Sequence, residues 1–164
     1  PKGQLSRYNT PLLRIAMKIF ITGGTGFLGH SLVKKLSPHC EKIYLLVRKK
    51  SFAKAYKTFQ KLENVSLVIG DITHSKIIFD ENETKEVVSS VEIIFHIAGL
   101  YDPEASYSDC LIYNVAGTQN TLSFSTQFKN LKSFHYMSTI GVCGDYQGVI
   151  KEDELDVGQK FHNH

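Results

Sequence analysis

Three glycines spaced by two residues each stand in the run Thr22-Gly23-Gly24-Thr25-Gly26-Phe27-Leu28-Gly29. Residues of this kind act through the backbone. Gly23 permits a tight turn, Gly26 lets the main chain come close to a ligand, and Gly29 allows a following helix to pack close on the preceding strand. If the run joins a strand to a helix, the amides from Thr25 to Leu28 gather at a positive helix end and suit a doubly charged phosphate linker. The pyrophosphate of a dinucleotide is such a linker. No Gly-Lys-Ser/Thr follows, which excludes a P-loop. The bland alternative is a glycine-rich turn that only reverses the chain.

A second group with chemistry in it is Leu45-Leu46-Val47-Arg48-Lys49-Lys50. Dinucleotide sites usually present an acid here to the adenosine ribose, and this run has none. A guanidinium binds a 2′-phosphate bidentately where a carboxylate would repel it, so Arg48, with Lys49, argues for NADP(H), with NAD(H) as the other option. The bland alternative for the same residues is a solvated basic loop. His162 and His164 form a His-x-His pair but have no third ligand nearby in sequence, so no metal is expected. Cys40, Cys110 and Cys143 are odd in number, far apart and in no ligand spacing, which fits a reducing compartment. Nothing basic adjoins Cys110 or Cys143, so both read as packed rather than reactive.

The elements that must position these groups follow from periodicity. Nearly continuous apolar runs at 18–22, 42–47, 65–69, 92–97 and 133–137 predict strands buried on both faces of a parallel sheet. Helical stripes lie between them. Phe27, Leu28, Leu32, Val33 and Leu36 predict a helix closed by Pro38, and Phe52, Ala55, Tyr56, Phe59 and Leu62 predict another over 51–62. A weaker pattern covers 82–89. The longest stripe covers 105–128, and Gly117 inside it implies a close packing contact, since Gly there costs about 1 kcal/mol against Ala. Strand and helix alternate, so the fold class is α/β: a Rossmann-type doubly wound sheet of order 3-2-1-4-5, with ligand at the carboxyl ends where the order reverses. After Met137 the pattern gives way to a loop-rich stretch holding Gly141, Gly144, Gly148 and Gly158.

A chain of 164 residues suits one domain, expected here over 17–164. Residues 1–16 form an N-terminal extension made basic by Lys2, Arg7 and Arg14, read as a loosely held tail, or else as a partner-binding arm. The composition, 42% hydrophobic and 21% charged, is that of a globular protein. A net charge of +3, with both signs interleaved, does not imply nucleic acid. No apolar run is long enough to span a bilayer and no leader pattern opens the chain, which leads to a cytoplasmic expectation.

Further runs bring in a family. Gly70-Asp71-Ile72, His96-Ile97-Ala98-Gly99, Asn114-Val115-Ala116-Gly117-Thr118 and Met137-Ser138-Thr139-Ile140-Gly141-Val142 follow the glycine run in the order found in extended short-chain dehydrogenase/reductases, which the chain resembles. Phe95-His96-Ile97-Ala98-Gly99-Leu100-Tyr101-Asp102 and Gly144-Asp145-Tyr146-Gln147-Gly148-Val149 resemble the branch of fatty acyl-CoA and thioester reductases. Nucleotide-sugar epimerases and dehydratases share most of the core pattern. The resemblance implies that Asp71 and Ile72 flank the adenine, that Ile97, Ala98 and Gly99 line the middle of the cofactor, and that Asn114 steadies the site from within its helix. Asp71 as a mere turn cap and Asn114 as a helix-surface residue stay open. His96 reads as a packed strand residue with no partner in view.

The resemblance also implies a mechanism. A Tyr hydroxyl exchanges the substrate proton, a Lys one helical turn on lowers its pKa, and Thr139, beside Ser138, orients a carbonyl for hydride transfer. No Tyr-x-x-x-Lys stands at the right place in this chain, and Phe161-His162-Asn163-His164 resembles the stretch just before the catalytic Tyr. The expectation is therefore a sheet incomplete at its carboxyl end: the cofactor-binding part of an NADP(H)-preferring oxidoreductase, itself inactive. Its parent would act on a small-molecule carbonyl, an acyl thioester or aldehyde, with a homodimer possible in the family. A nucleotide-sugar epimerase or dehydratase, or a non-catalytic dinucleotide-binding module, is the alternative.

Overall fold

The computed structural model describes residues 15–161. The tail up to Arg14, and the His162 and His164 pair, lie outside the described residues. Five strands, β1 (Ile15–Thr22), β2 (Cys40–Val47), β3 (Val65–Ile69), β4 (Ile93–His96) and β5 (Ser133–Tyr136), form one sheet of order β3-β2-β1-β4-β5. All four pairings are parallel, as the continuous apolar runs predict. β1 starts at Ile15, inside the segment read as extension, because Ile15 already pairs with Cys40.

Each strand feeds both faces of the sheet, since side chains alternate along it. Ile19 and Ile21 of β1 join Ile43, Leu45 and Val47 of β2 on one face. That face is covered by Val33 of α1 (Phe27–Leu36) and by Ala55 and Phe59 of α2 (Phe52–Phe59). Phe20, Tyr44, Leu46, Val68 and Ile94 face the other way, onto Val87 of α3 (Glu81–Ser90) and Phe124 of α5 (Gly117–Ser125). Phe20 meets Phe124 edge-on with ring centroids 5.9 Å apart, and Phe124 meets Phe128 at 5.0 Å. Burying each such ring contributes about 1.5–3 kcal/mol.

Three helices depart from the periodic reading. The stripe over 105–128 divides into α4 (Tyr107–Cys110), a π-helical segment Leu111–Ala116, and α5. Gly117 begins α5 where the helix lies against Ile72: an added Cβ would come within 2.8 Å of Ile72 Cδ1, which is the close contact its presence implied. In α1 only Val33 of the stripe is fully buried, while Phe27 is 89% exposed and Leu28 51% exposed. These two sit at the mouth of the sheet, beyond the reach of its core. In α2, Phe52 and Tyr56 stay exposed and stack on each other at 6.4 Å.

The weakly patterned α3 forms for a local reason. The Asp80 carboxylate accepts from the amides of Asn82 (2.8 Å) and Glu83 (2.9 Å), satisfying two donors that the helix leaves open, and Val87 anchors it on the core. Asp80→Ala is expected to lower stability by about 1 kcal/mol. A urea denaturation midpoint equal to wild type would show that the cap contributes nothing.

Candidate dinucleotide site

The order of the sheet reverses between β1 and β4, so the loops leaving these neighbours diverge and open a crevice at their carboxyl ends. Gly23 leaves β1 with φ +74°, in the left-handed region. A Cβ there would sit 2.5 Å from the amide nitrogen of Ala98, the second residue after β4. The turn closes through Gly26 N–H to Gly23 O (3.0 Å), and α1 starts with His30 N–H to Gly26 O (2.9 Å). No side chain caps Gly26, so the first amides of α1 are left for solvent or a ligand. Gly29 allows a close approach, but to the turn itself. A Cβ would overlap the Gly23 carbonyl oxygen and lie 2.6 Å from Gly24 Cα, so the helix packs on the glycine turn rather than along the strand.

One cleft gathers Gly23, Thr25, Arg48, Asp71, Ile72, Ala98 and Gly99 from the residues singled out in sequence, together with Leu46, Val47, Ser51, Gly70 and Tyr113. Leu46 and Val47 end β2 and Gly70 directly follows β3, beside the named residues. Ser51 and Tyr113 carried no signal beyond standing three residues after Arg48 and one before Asn114. Gly26 and Phe27 border a second cleft, between α1 and α2, with His30, Lys54 and Thr58. Arg48 is exposed at the rim, and none of the four ion pairs among the described residues involves Arg48, Lys49 or Lys50.

Asp71 lines the cleft and also caps its own turn, its Oδ1 accepting from the Thr73 amide and hydroxyl, each at 3.0 Å. Ile72 is buried, and its carbonyl accepts from Asn120 Nδ2 at 2.9 Å. Asn114 is not a surface residue. Its Oδ1 accepts from Leu100 N–H (2.6 Å) and its Nδ2 donates to Leu100 O (3.0 Å), which clamps the loop after β4. Ile97 is half-buried and packs with the α1 face of the core rather than lining the cleft. Ser138 and Thr139 are exposed beyond β5 and stand outside the cleft. Thr139 Oγ1 accepts from Gly141 N–H at 3.1 Å.

His96 differs most from its sequence reading, because it does have partners. It is fully buried, with Nδ1 2.7 Å from Thr22 Oγ1 and Nε2 3.1 Å from Thr118 Oγ1. The threonines stand 74 and 22 residues away in the chain, so no local pattern pointed to them.

The profile of the Male sterility protein family, an NAD-binding domain, matches residues 21–162. The chain belongs to that family. Fatty acyl-CoA reductase 2 of Mus musculus is 32% identical over 141 residues, 74% of this chain and 27% of that protein. The chloroplastic fatty acyl-CoA reductase 2 of Arabidopsis thaliana is 29% identical over 167 residues, covering 86% and 27%. The crystal structure of the terminal R domain from the myxalamid PKS-NRPS biosynthetic pathway superposes with a TM-score of 0.73 at 29% identity, over 89% of this chain and 41% of that one. The chain is thus an extended short-chain dehydrogenase/reductase of the fatty acyl-CoA reductase-like kind, spanning about a quarter of the length of these reductases. Among the described residues no helix is long and apolar enough to cross a membrane.

Burial pushes the His96 imidazole down to about 4. An unfolded chain holds its histidines near 6.5, so it takes up the proton first, and stability falls as pH drops from about 6.5 to about 4. Glu86, held below the usual carboxylate range by Lys42 and then Tyr44, and Glu92, held down by Lys132, add a loss at lower pH. Urea midpoints measured from pH 7 to pH 5 are expected to decline for wild type and to stay nearly level for His96→Asn. Equal slopes for the two proteins would rule out His96 as the source.

Proposed function

We propose that the cleft binds the adenosine half of NADP(H) and that the chain is the dinucleotide-binding portion, over 17–164, of a reductase acting on an acyl thioester or the aldehyde derived from it. The observation that carries this reading is the convergence of the Gly23 turn, Asp71, Ala98 and Gly99 in one crevice with Arg48 at its rim. Uncapped amides at the start of α1 suit the pyrophosphate, and the left-handed Gly23 lets the turn close against the Ala98 backbone. Asp71 keeps Oδ2 available for the exocyclic amine of adenine while Oδ1 holds its turn. Arg48, with Lys49 beside it, meets the 2′-phosphate.

When bound, the nicotinamide would supply a hydride for the substrate carbonyl. Thr139, which stands outside the cleft beyond β5, would orient the substrate carbonyl and Ser138 would contact the cofactor, while Asn114 holds the loop after β4 still by its two bonds to Leu100. Proton transfer and the choice of acyl chain belong to the whole protein. The similarity to fatty acyl-CoA reductases supports the thioester or aldehyde substrate, and the odd number and wide spacing of Cys40, Cys110 and Cys143 suit a reducing compartment such as the cytoplasm.

Fluorescence titration with NADPH and NADH tests this reading. Wild type is expected to bind NADPH more tightly, and Arg48→Ala to weaken NADPH about tenfold or more while leaving NADH nearly unchanged, as for loss of a charge-assisted bond of about 1.5–3 kcal/mol. Unchanged NADPH affinity in Arg48→Ala would remove the phosphate assignment, and no binding of either nucleotide would remove the cofactor assignment.

A further inference from the structure

The walls of the crevice are main chain, and something must hold them in register. The Thr22 hydroxyl stands between them: the Ala98 amide donates to Thr22 Oγ1 at 3.2 Å, and the same oxygen lies 2.7 Å from His96 Nδ1. One tautomer satisfies every group. Ala98 N–H points into Thr22 Oγ1, the Thr22 proton points into Nδ1, and the proton on Nε2 points into Thr118 Oγ1 at 3.1 Å. His96 thereby fixes the rotation of the Thr22 hydroxyl. That hydroxyl in turn fixes Ala98 against Gly23, at the point where a Cβ on Gly23 would come within 2.5 Å of the Ala98 nitrogen.

The residue reaches the third segment as well. Tyr136, the last residue of β5, lies over the imidazole with ring centroids 5.6 Å apart and planes 23° from parallel. The His96 carbonyl accepts from Met137 N–H at 2.9 Å, immediately ahead of Ser138. Ends of β1, β4 and β5 therefore meet on one side chain and its own peptide. A buried imidazole whose only task was packing would be replaceable by an apolar side chain of similar size at no cost to binding.

We propose that His96 is a positioning residue for dinucleotide binding, acting through Thr22 on the Ala98 backbone. This rests on the dinucleotide reading of the cleft. NADPH dissociation constants and melting temperatures are to be measured for wild type, His96→Leu, Thr22→Val, the double variant, His96→Asn and Phe124→Leu. Both single replacements are expected to weaken NADPH about tenfold, and the double variant no more than the worse single one, because they break the same chain of bonds. His96→Asn keeps an acceptor, its amide oxygen, at the place of Nδ1 and is expected to recover most of the affinity. Phe124→Leu truncates the core where it packs on Phe20 and Phe128 and removes no hydrogen bond of this network, so it is expected to lower Tm with wild-type affinity.

Should His96→Leu fail to fold, the comparison of Thr22→Val with His96→Asn decides. Wild-type affinity in Thr22→Val, or no recovery in His96→Asn, overturns the inference while leaving the cofactor reading intact. Additive losses in the double variant overturn it too. A wild-type protein that binds no dinucleotide overturns both.

Discussion

Between the first glycine of the turn and the backbone of Ala98 there is no room for a methyl group. That contact pins the loops after β1 and β4 to each other where they leave the sheet, at the point where it reverses its order, and the cleft is the space that opens as they diverge. It requires a residue without a side chain and with φ near +74°, a combination that glycine meets at little steric cost. The same economy of side chains recurs at Gly29, which seats α1 on the turn, and at Gly117, which seats α5 on Ile72. A site made of main chain can approach a phosphate closely because nothing stands in front of it.

Backbone walls have no packing of their own, so side chains from distant elements hold them. Thr22 takes the amide of Ala98, Asn114 takes both polar groups of Leu100, and Asn120 donates to the Ile72 carbonyl. Each replaces hydrogen bonds that water would otherwise make to a loop, and each ties that loop to a strand or helix anchored in the core. Charge is divided in the same spirit. Lys18 and Lys42 of the strands pair with Glu41 of β2 and Glu86 of α3, and Lys132 pairs with Glu92 just ahead of β5 and β4, whereas Arg48 at the cleft rim takes part in no ion pair among the described residues. Its charge is available to an incoming anion.

Much of this architecture was legible in the residues. Continuous apolar runs located all five strands to within a few residues, and right-handed crossovers led to their order. Gly117 announced its close contact. Other features were hidden because they depend on partners remote in sequence. The partners of His96 come from β1 and α5, the interruption of the long helix by a π-helical segment has no periodic signature, and Asp71 both caps a turn and lines a cleft. Phe27 and Leu28 matched a helical stripe yet face away from the core, since a stripe records spacing and not how far the neighbouring sheet extends.

What the sequence determined alone is local and periodic: a strand, a glycine turn and a helix in immediate succession, an alternation of elements that admits few topologies, and a basic run where an acid is usual. These follow from backbone sterics and side-chain spacing, which act over a few residues. Only the tertiary structure decided which residues share the cleft, and it drew in Ser51 and Tyr113 while leaving Ser138 and Thr139 outside. It alone supplied a buried histidine with its threonines. The physical reason is that hydrogen bonds and close contacts between strands depend on register, which is settled when the whole sheet and its covering helices pack at once.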